Sequence, residues 1–348
     1  MKAVVKYKDG KNGWEIRDIE KEKPYDLDVE IKVEYIGICG SELHLYHDNH
    51  YYKPPAFIGH EFAGVISAVG KDVKDWKIGD RVVTENHITA CRKCSYCRSE
   101  AMQLCPERKP IGYVDNKHYT GAWTEYVNRP EWLLHRIPDK VTLEEAALTE
   151  PITIGVHSLC DKVNVTPNDV VLIQGCGTIG LLAGMVAKAL GAYKVIITGT
   201  EGDEKNRLAV ARKIGFDSVI NINKEVLEDK IKSLTNGAGV DIVVEASGSE
   251  MAINSAIELT KKKGTILAIG EAPKSLISVA WNKAVFKAIS ILFSFGSYYN
   301  SWEIALKLLE TKKIDVNPLI SHKLPLAKWE EGFRLLEARE GLKVLLKP

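Results

Sequence analysis

Val170-Val171-Leu172-Ile173-Gln174 runs straight into Gly175-Cys176-Gly177-Thr178-Ile179-Gly180 and then into a helix-forming stretch through Leu190. A continuous apolar run of this length reads as a strand covered on both faces. Strand, glycine turn and helix in immediate succession open a βαβ unit. The three glycines then permit the tight turn, bring the backbone close to a pyrophosphate and allow close helix–strand packing. Further strand patterns follow at Lys194–Thr198, Val240–Ala246 and Gly264–Gly270, each of the last two after a helical stretch. That alternation predicts a doubly wound parallel sheet, an α/β fold. A domain of this class without a nucleotide would show the alternation but would not need the glycine spacing.

The residues before this region read differently. Short alternating runs such as Glu30–Ile36 and Phe62–Val69, broken by Gly37, Gly59, Gly70 and Gly79, predict a half-buried antiparallel β module that needs no long helix. A chain of 348 residues is long enough for two cores. After Ile289 the alternation is lost; helical patterns cover 301–310 and 328–338, and Lys343–Leu346 reads as a strand returning to the first module. With 47 basic and 46 acidic side chains the net charge is +1, and neither sign forms a block suited to nucleic acid or an anionic membrane. The start of the chain lacks a secretory apolar core, and the run Ile179–Ala187 is too short to span a bilayer, so a cytoplasmic protein is expected.

Two clusters carry chemistry. Cys91, Cys94, Cys97 and Cys105 form two CxxC steps sharing a cysteine, with a fourth sulfur after a further seven residues. Four thiolates at about 2.3 Å fill the tetrahedral shell of zinc and leave no position for substrate, which makes the ion structural. Two disulfides, which require an oxidising compartment, and an iron–sulfur cluster are the alternatives. A tight loop rather than a helix is expected here, with Arg92, Lys93 and Arg98 offsetting charge. The second cluster is Cys39-Gly40-Ser41-Glu42-Leu43-His44 followed by Gly59-His60-Glu61. Thiolate, imidazole and carboxylate together make the donor set of an open catalytic zinc. Between them, His47, His50, Tyr51 and Tyr52 could face a hydroxylated substrate or simply pack.

Taken in order, these marks, with Glu150-Pro151 and His157, resemble the zinc-dependent medium-chain alcohol and polyol dehydrogenases over essentially the whole chain, and the sorbitol and threonine dehydrogenase branch in particular. The resemblance implies a GroES-like catalytic domain at 1–150 with a structural zinc lobe at about 88–108, a Rossmann domain at 151–293, a return segment at 294–348 completing the first domain, and an active site in the cleft between the two. It implies two zinc ions per chain, the catalytic one held by Cys39, His60, Glu61 and Glu150, the carboxylates acting directly or through water. A zinc-bound alkoxide would expel hydride toward the nicotinamide, with Ser41 and His44 relaying the proton. Ser41 as a turn cap and His44 as a surface histidine are the plainer readings. His157 is read as packing, and His87 either as an active-site neighbour or as an ordinary strand-end residue.

Cofactor contacts are expected from Gly175, Gly177, Thr178, Ile179 and Gly180, with Glu201 or Arg207 near the ribose. Gly199 occupies the place where NAD enzymes usually carry an acid. A glycine there suits NADP, with Lys205 and Arg207 near a 2′-phosphate, while Glu201 suits NAD; the balance leans to NAD. The expected substrate is a secondary alcohol of a polyol or sugar. Ser294 stands where sorbitol dehydrogenases carry arginine, which argues against sorbitol itself and leaves threonine 3-dehydrogenation as the alternative. A non-catalytic nucleotide-binding protein or a zinc-free reductase of the same fold would have no reason to keep the donor set. A homo-oligomer, dimer or tetramer, is also implied.

Overall fold

The computed structural model describes residues 1–50, 52–112 and 117–348. The chain forms two compact units: Met1–Glu150 with Ser297–Lys312 and Ile320–Pro348, and Pro151–Gly296 with Lys313–Leu319.

In the first unit, a seven-stranded sheet has the path Leu134–Arg136, Arg81–Thr84, Glu61–Val69, Asp28–Gly37, Lys343–Lys347, Ile320–Pro325, and Tyr126–Pro130 also pairs with Asp28–Gly37. The long central strand therefore meets three partners. Its register sets Gly37 opposite Glu61 on one side and opposite Leu345 on the other. The returning strand thus enters the sheet beside the acidic residue of the Gly59-His60-Glu61 motif. The last pair, Ile320–Pro325 with Lys343–Lys347, is parallel rather than antiparallel. Trp14, Trp123, Trp329 and Phe333 pack beneath, with Trp14 stacked on Trp329 at 5.5 Å between ring centres. This cluster ties the helix Trp329–Glu337 to the strand that begins at Trp14.

Two short helices start at the donor segments. Gly40–Tyr46 is a helix of seven residues, within the expectation that this module needs no long one, while Ser95–Arg98 makes one helical turn where a tight loop is expected. Both begin at a cysteine, whose extended backbone starts the turn. A backbone N–H at each start meets a nearby acceptor, the Glu42 carboxylate or the Cys94 sulfur, and so satisfies donors that a helix start leaves open.

The second unit is built on a six-stranded sheet, all parallel, in the order Ser218–Asn221, Lys194–Gly199, Val170–Gln174, Val240–Glu245, Thr260–Ala268, Ser290–Phe293. This is the doubly wound order, in which the order reverses beside the first strand. The edge strand Ser218–Asn221 escapes a sequence reading because it is four residues long and only half apolar. Val170–Gln174 is buried throughout, which accounts for its unbroken apolar pattern. Among the described residues no helix is long and apolar enough to cross a membrane.

Candidate active site

The donor set assembles in the first unit from a helix start and a strand start. Cys39 precedes the helix Gly40–Tyr46, and His60 and Glu61 lie where the strand Glu61–Val69 begins. One ligand atom from each of Cys39, His60 and Glu61 lies within 4.8 Å of the other two. Gly59 makes the approach possible: at φ +103° it turns the chain against Trp123, and a Cβ there would stand 2.3 Å from the indole Cδ1.

Two neighbours absent from the sequence reading orient these donors. Glu42, fully buried, accepts the Cys39 backbone N–H at Oε2 (2.6 Å) and faces His60 Nδ1 with Oε1 at 2.9 Å. A carboxylate on Nδ1 fixes the ring and leaves Nε2 as the donor nitrogen, a common arrangement behind metal-bound histidines. Its sequence signal is an acid three residues after the helix start, the capping position. The second neighbour is Lys343 on the returning strand. Its Nζ donates to Glu61 Oε2 at 2.6 Å and to the Ile38 carbonyl at 3.0 Å, and it is 2% exposed.

Glu150, in the helix Thr149–Val156, is not one of the three close donors. The Asn86 side-chain amide donates to its Oε1. Burial pushes its carboxyl up to about 7, and the Glu61 charge adds to this, against the pull of His60, Asn86 and Lys343. Burial likewise raises the Cys39 thiol, helped by Glu61 and opposed by His60. For Lys343, burial alone would lower the ammonium, but the charges of Glu61 and Cys39 outweigh it and the pKa is raised.

Charge and hydrogen bonding both fit a cation at this place. Among the described residues, the buried carboxylates of Glu42, Glu61 and Glu150 and the thiol of Cys39 gather around His60 and Lys343, and burial disfavours the ionised forms of Cys39 and Glu150 unless a further cation joins them. Among the described residues, buried Glu61 Oε1 meets no hydrogen-bond partner. An acceptor left open among a thiol and an imidazole is what a zinc ion would use.

Ser41 is half-buried in the first turn of the helix, and His44, one turn on, is exposed. Of the loop histidines, His50 is buried and senses His44 and His60; burial lowers its pKa to about 4, so the ring is neutral. His47 instead pairs with Glu337 on the surface. Tyr51 lies outside the described residues. His87 is buried against Met102 and Trp132, at 3.2 Å from the sulfur and 5.7 Å between ring centres. In the second unit, His157 is buried in a π-helical turn, with Nδ1 2.9 Å from Asp161.

The four cysteine sulfurs of 91, 94, 97 and 105 also converge within 4.8 Å, and Cys91 Sγ lies 3.8 Å from Cys97 Sγ. Backbone N–H groups of 91, 94 and 97 point at sulfurs at 3.3–3.4 Å. Such donors bring Cys91 down to about 6, whereas burial and then its sulfur neighbours push Cys97 up to about 12. Four crowded thiols cannot all ionise unless a cation joins them, which fits a closed zinc site.

In the second unit, each glycine of the turn has a separate local reason. Gly175 sits at φ +102°; a Cβ on Gly180 would fall 1.9 Å from the Gly175 carbonyl; at Gly177 nothing lies within 4 Å of one. The open side lies at the start of the twelve-residue helix Thr178–Ala189, a place that could take a phosphate, with Thr178 and Ile179 half-buried in its first turn. Glu201 is exposed, its Oε2 held by the Asn221 amide (2.8 Å) and by Lys224 (3.1 Å), while Arg207 turns to Asp203 at 3.4 Å. A side chain at 199 would meet Cys176 Sγ at 2.5 Å, which explains the glycine there.

Comparison with known proteins agrees over the whole chain. Residues 25–139 match the alcohol dehydrogenase GroES-like domain, and 178–311 match the zinc-binding dehydrogenase family. A sorbitol dehydrogenase of Halalkalibacterium halodurans is 35% identical, with 100% of this chain and 99% of that one aligned. A D-arabitol-phosphate dehydrogenase of Enterococcus avium is 35% identical over 100% and 97%. The crystal structure of an alcohol dehydrogenase from Escherichia coli CFT073 complexed with NADH is 28% identical, with TM-score 0.88 over 100% of this chain and 99% of that one. Donor set, glycine cradle and relatives lead to one conclusion: this chain belongs to the zinc-dependent medium-chain alcohol and polyol dehydrogenases, NAD(P)-dependent oxidoreductases acting on alcohols.

Proposed function

We propose that this enzyme oxidises a secondary hydroxyl of a polyol or sugar, preferring NAD, with two zinc ions per chain. The observation that carries the reading is the convergence of Cys39, His60 and Glu61 around an unpartnered buried carboxylate oxygen. These three residues would hold the catalytic ion, with Glu150 beside them as an outer carboxylate; Cys91, Cys94, Cys97 and Cys105 would hold the structural one. When bound, zinc supplies Lewis acidity toward the substrate hydroxyl and the nicotinamide supplies the hydride acceptor.

The chain's own residues do the rest. Glu42 keeps the His60 ring turned. Ser41, half-buried, takes the hydroxyl proton, and exposed His44 hands it to water. Neutral His50 offers a polar edge to a hydroxylated substrate, which suits a polyol better than a simple alkanol. Glu201, held by Asn221 and Lys224 just past the second strand, would accept the ribose hydroxyls and disfavour a 2′-phosphate, which supports NAD. The second unit exposes Trp281, Val285, Phe286 and Phe293 in and beside its edge strand, with Phe286 82% and Phe293 77% exposed. That apolar surface supports self-association into a dimer or tetramer. A cytoplasmic location suits cysteines that must stay reduced.

The test is a panel of polyols, sugars, threonine and simple alcohols with each nicotinamide, following reduced cofactor, with metal content measured on the same sample. Higher kcat/KM for polyols with NAD and two zincs per chain is expected. Turnover of threonine alone, or a preference for NADP, would replace the corresponding part of the reading; no turnover by a zinc-loaded sample would end it.

A further inference from the structure

The metal reading above explains one oxygen of Glu61; the other is committed elsewhere. Oε2 receives Lys343 Nζ at 2.6 Å, and the same ammonium donates to the Ile38 carbonyl, one residue before Cys39. Lys343 sits on the returning strand, and the Ile38 N–H donates to Val344 O at 3.1 Å, so side chain and backbone of that strand both grip the segment leading to Cys39. A second observation fixes the same oxygen. A Cβ at Gly37, opposite Glu61 in the sheet, would lie 2.1 Å from Oε2. The carboxylate oxygen occupies space that only glycine leaves open, and it accepts the Lys343 ammonium as well.

We infer that Lys343 is a positioning residue that, with Gly37, parks Oε2 and makes Glu61 a one-oxygen donor through Oε1. This rests on Glu61 belonging to the catalytic metal site. A carboxylate free to rotate can bind zinc through either oxygen or both, and a second oxygen would fill the position that substrate needs. The ammonium prevents this by an ion pair sealed from solvent, where removal of one partner is felt strongly.

Cobalt(II), which accepts the same donors, makes the coordination visible. Enzyme loaded with cobalt should show thiolate-to-metal charge transfer and d–d bands of tetrahedral intensity. In Lys343→Met the charge-transfer band should persist, because Cys39 remains, while the d–d bands weaken as the carboxylate chelates and the coordination number rises. Cobalt at the four cysteines contributes equally to both samples and cancels in the difference. Lys343→Arg, which keeps cation and reach, should restore the original bands, and Gly37→Ala should reproduce the methionine spectrum by displacing Oε2. In a Glu61→Gln background, Lys343→Met should change nothing further.

Unchanged d–d bands in Lys343→Met, or an equal change in the Glu61→Gln background, would overturn the inference. Should the methionine variant fail to fold, unchanged bands in Gly37→Ala would overturn it equally. If the parent protein binds cobalt only at the four cysteines, the metal reading itself fails, and that outcome is distinguishable because no d–d change can then depend on residue 61.

Discussion

The two clusters of metal donors in the first unit are built in opposite ways. The four sulfurs come from one short segment, 91 to 105, and their geometry is set by local turns and backbone N–H groups that point back at the sulfurs. The other cluster gathers Cys39, His60 and Glu61 from separate elements, backed by Glu42 and by Lys343, which is 282 residues from Glu61. A local cluster needs only its own loop to be right. A distributed one reads out the whole unit, and it can leave a coordination position open because the fold, not the ion, holds the donors apart.

That contrast can be broken by experiment. Cys39→Ser should abolish turnover by about 10³–10⁴-fold, the several kcal/mol that metal catalysis supplies, with one zinc lost and melting little changed. Cys97→Ser should do the reverse: unfolding free energy falls on the order of 4 kcal/mol while kcat of the folded fraction stays within about threefold. If Cys97→Ser removes turnover with stability intact, the division between structural and catalytic sites is wrong. Ser41→Ala should cost about a hundredfold in kcat with both metals retained, as measured by turnover and zinc content together. Retained turnover would assign Ser41 to the turn alone.

The smallest expected effect concerns how the return segment is fastened. Buried His135 Nδ1 lies 2.5 Å from Glu303, on the helix Tyr299–Glu310. Burial alone would lower the imidazole, but Glu303 and Glu85 outweigh it and raise the pKa above 6.5, while His135 lowers Glu303 below 4.5. A raised histidine contributes stability that is complete below its unfolded pKa and is lost as pH rises through the folded value. A lowered glutamate contributes stability that is present above its unfolded pKa and is lost as pH falls. The pair therefore helps most between about pH 4.5 and 6.5. Glu303→Gln should destabilise by about 1 kcal/mol or less at pH 6, since its side chain is 49% exposed, and by nothing measurable at pH 9. Urea unfolding at the two pH values measures it; an equal cost at both would mean that the contact is packing, not charge.

The same contrast explains what the amino-acid sequence discloses. The cysteine cluster, the glycine turn and the strand Val170–Gln174 are legible because neighbours in sequence are neighbours in space. The Cys39 and His60-Glu61 motifs are legible as donor types, but their supports are not equally so. Glu42 leaves a trace in its position at the helix start. Asn86 and Lys343 leave none: an amide between two short strands and a lysine in Lys343-Val344-Leu345-Leu346 look like solvent-facing residues, until the first is found half-buried on Glu150 and the second is buried by the sheet register. The short edge strand Ser218–Asn221 is invisible for the opposite reason, too little apolar pattern to register. His47 and His50, three residues apart, look equivalent in sequence, yet one pairs with Glu337 at the surface and the other is drawn inward toward His60.

The reach of Lys343 also orders events during synthesis. A ribosome that has completed residues 1–150 has made every candidate donor of both metal clusters, but not the strand Lys343–Lys347 that holds the idle oxygen of Glu61. The four sulfurs of the cysteine loop would need only their own segment to hold an ion, whereas an ion captured early by Cys39 and His60 would meet an unrestrained carboxylate and a half-formed sheet. On the proposed assignment, Glu61 takes its one-oxygen form only after the second unit has been translated, so an ion bound before then would meet a different donor geometry from the finished one.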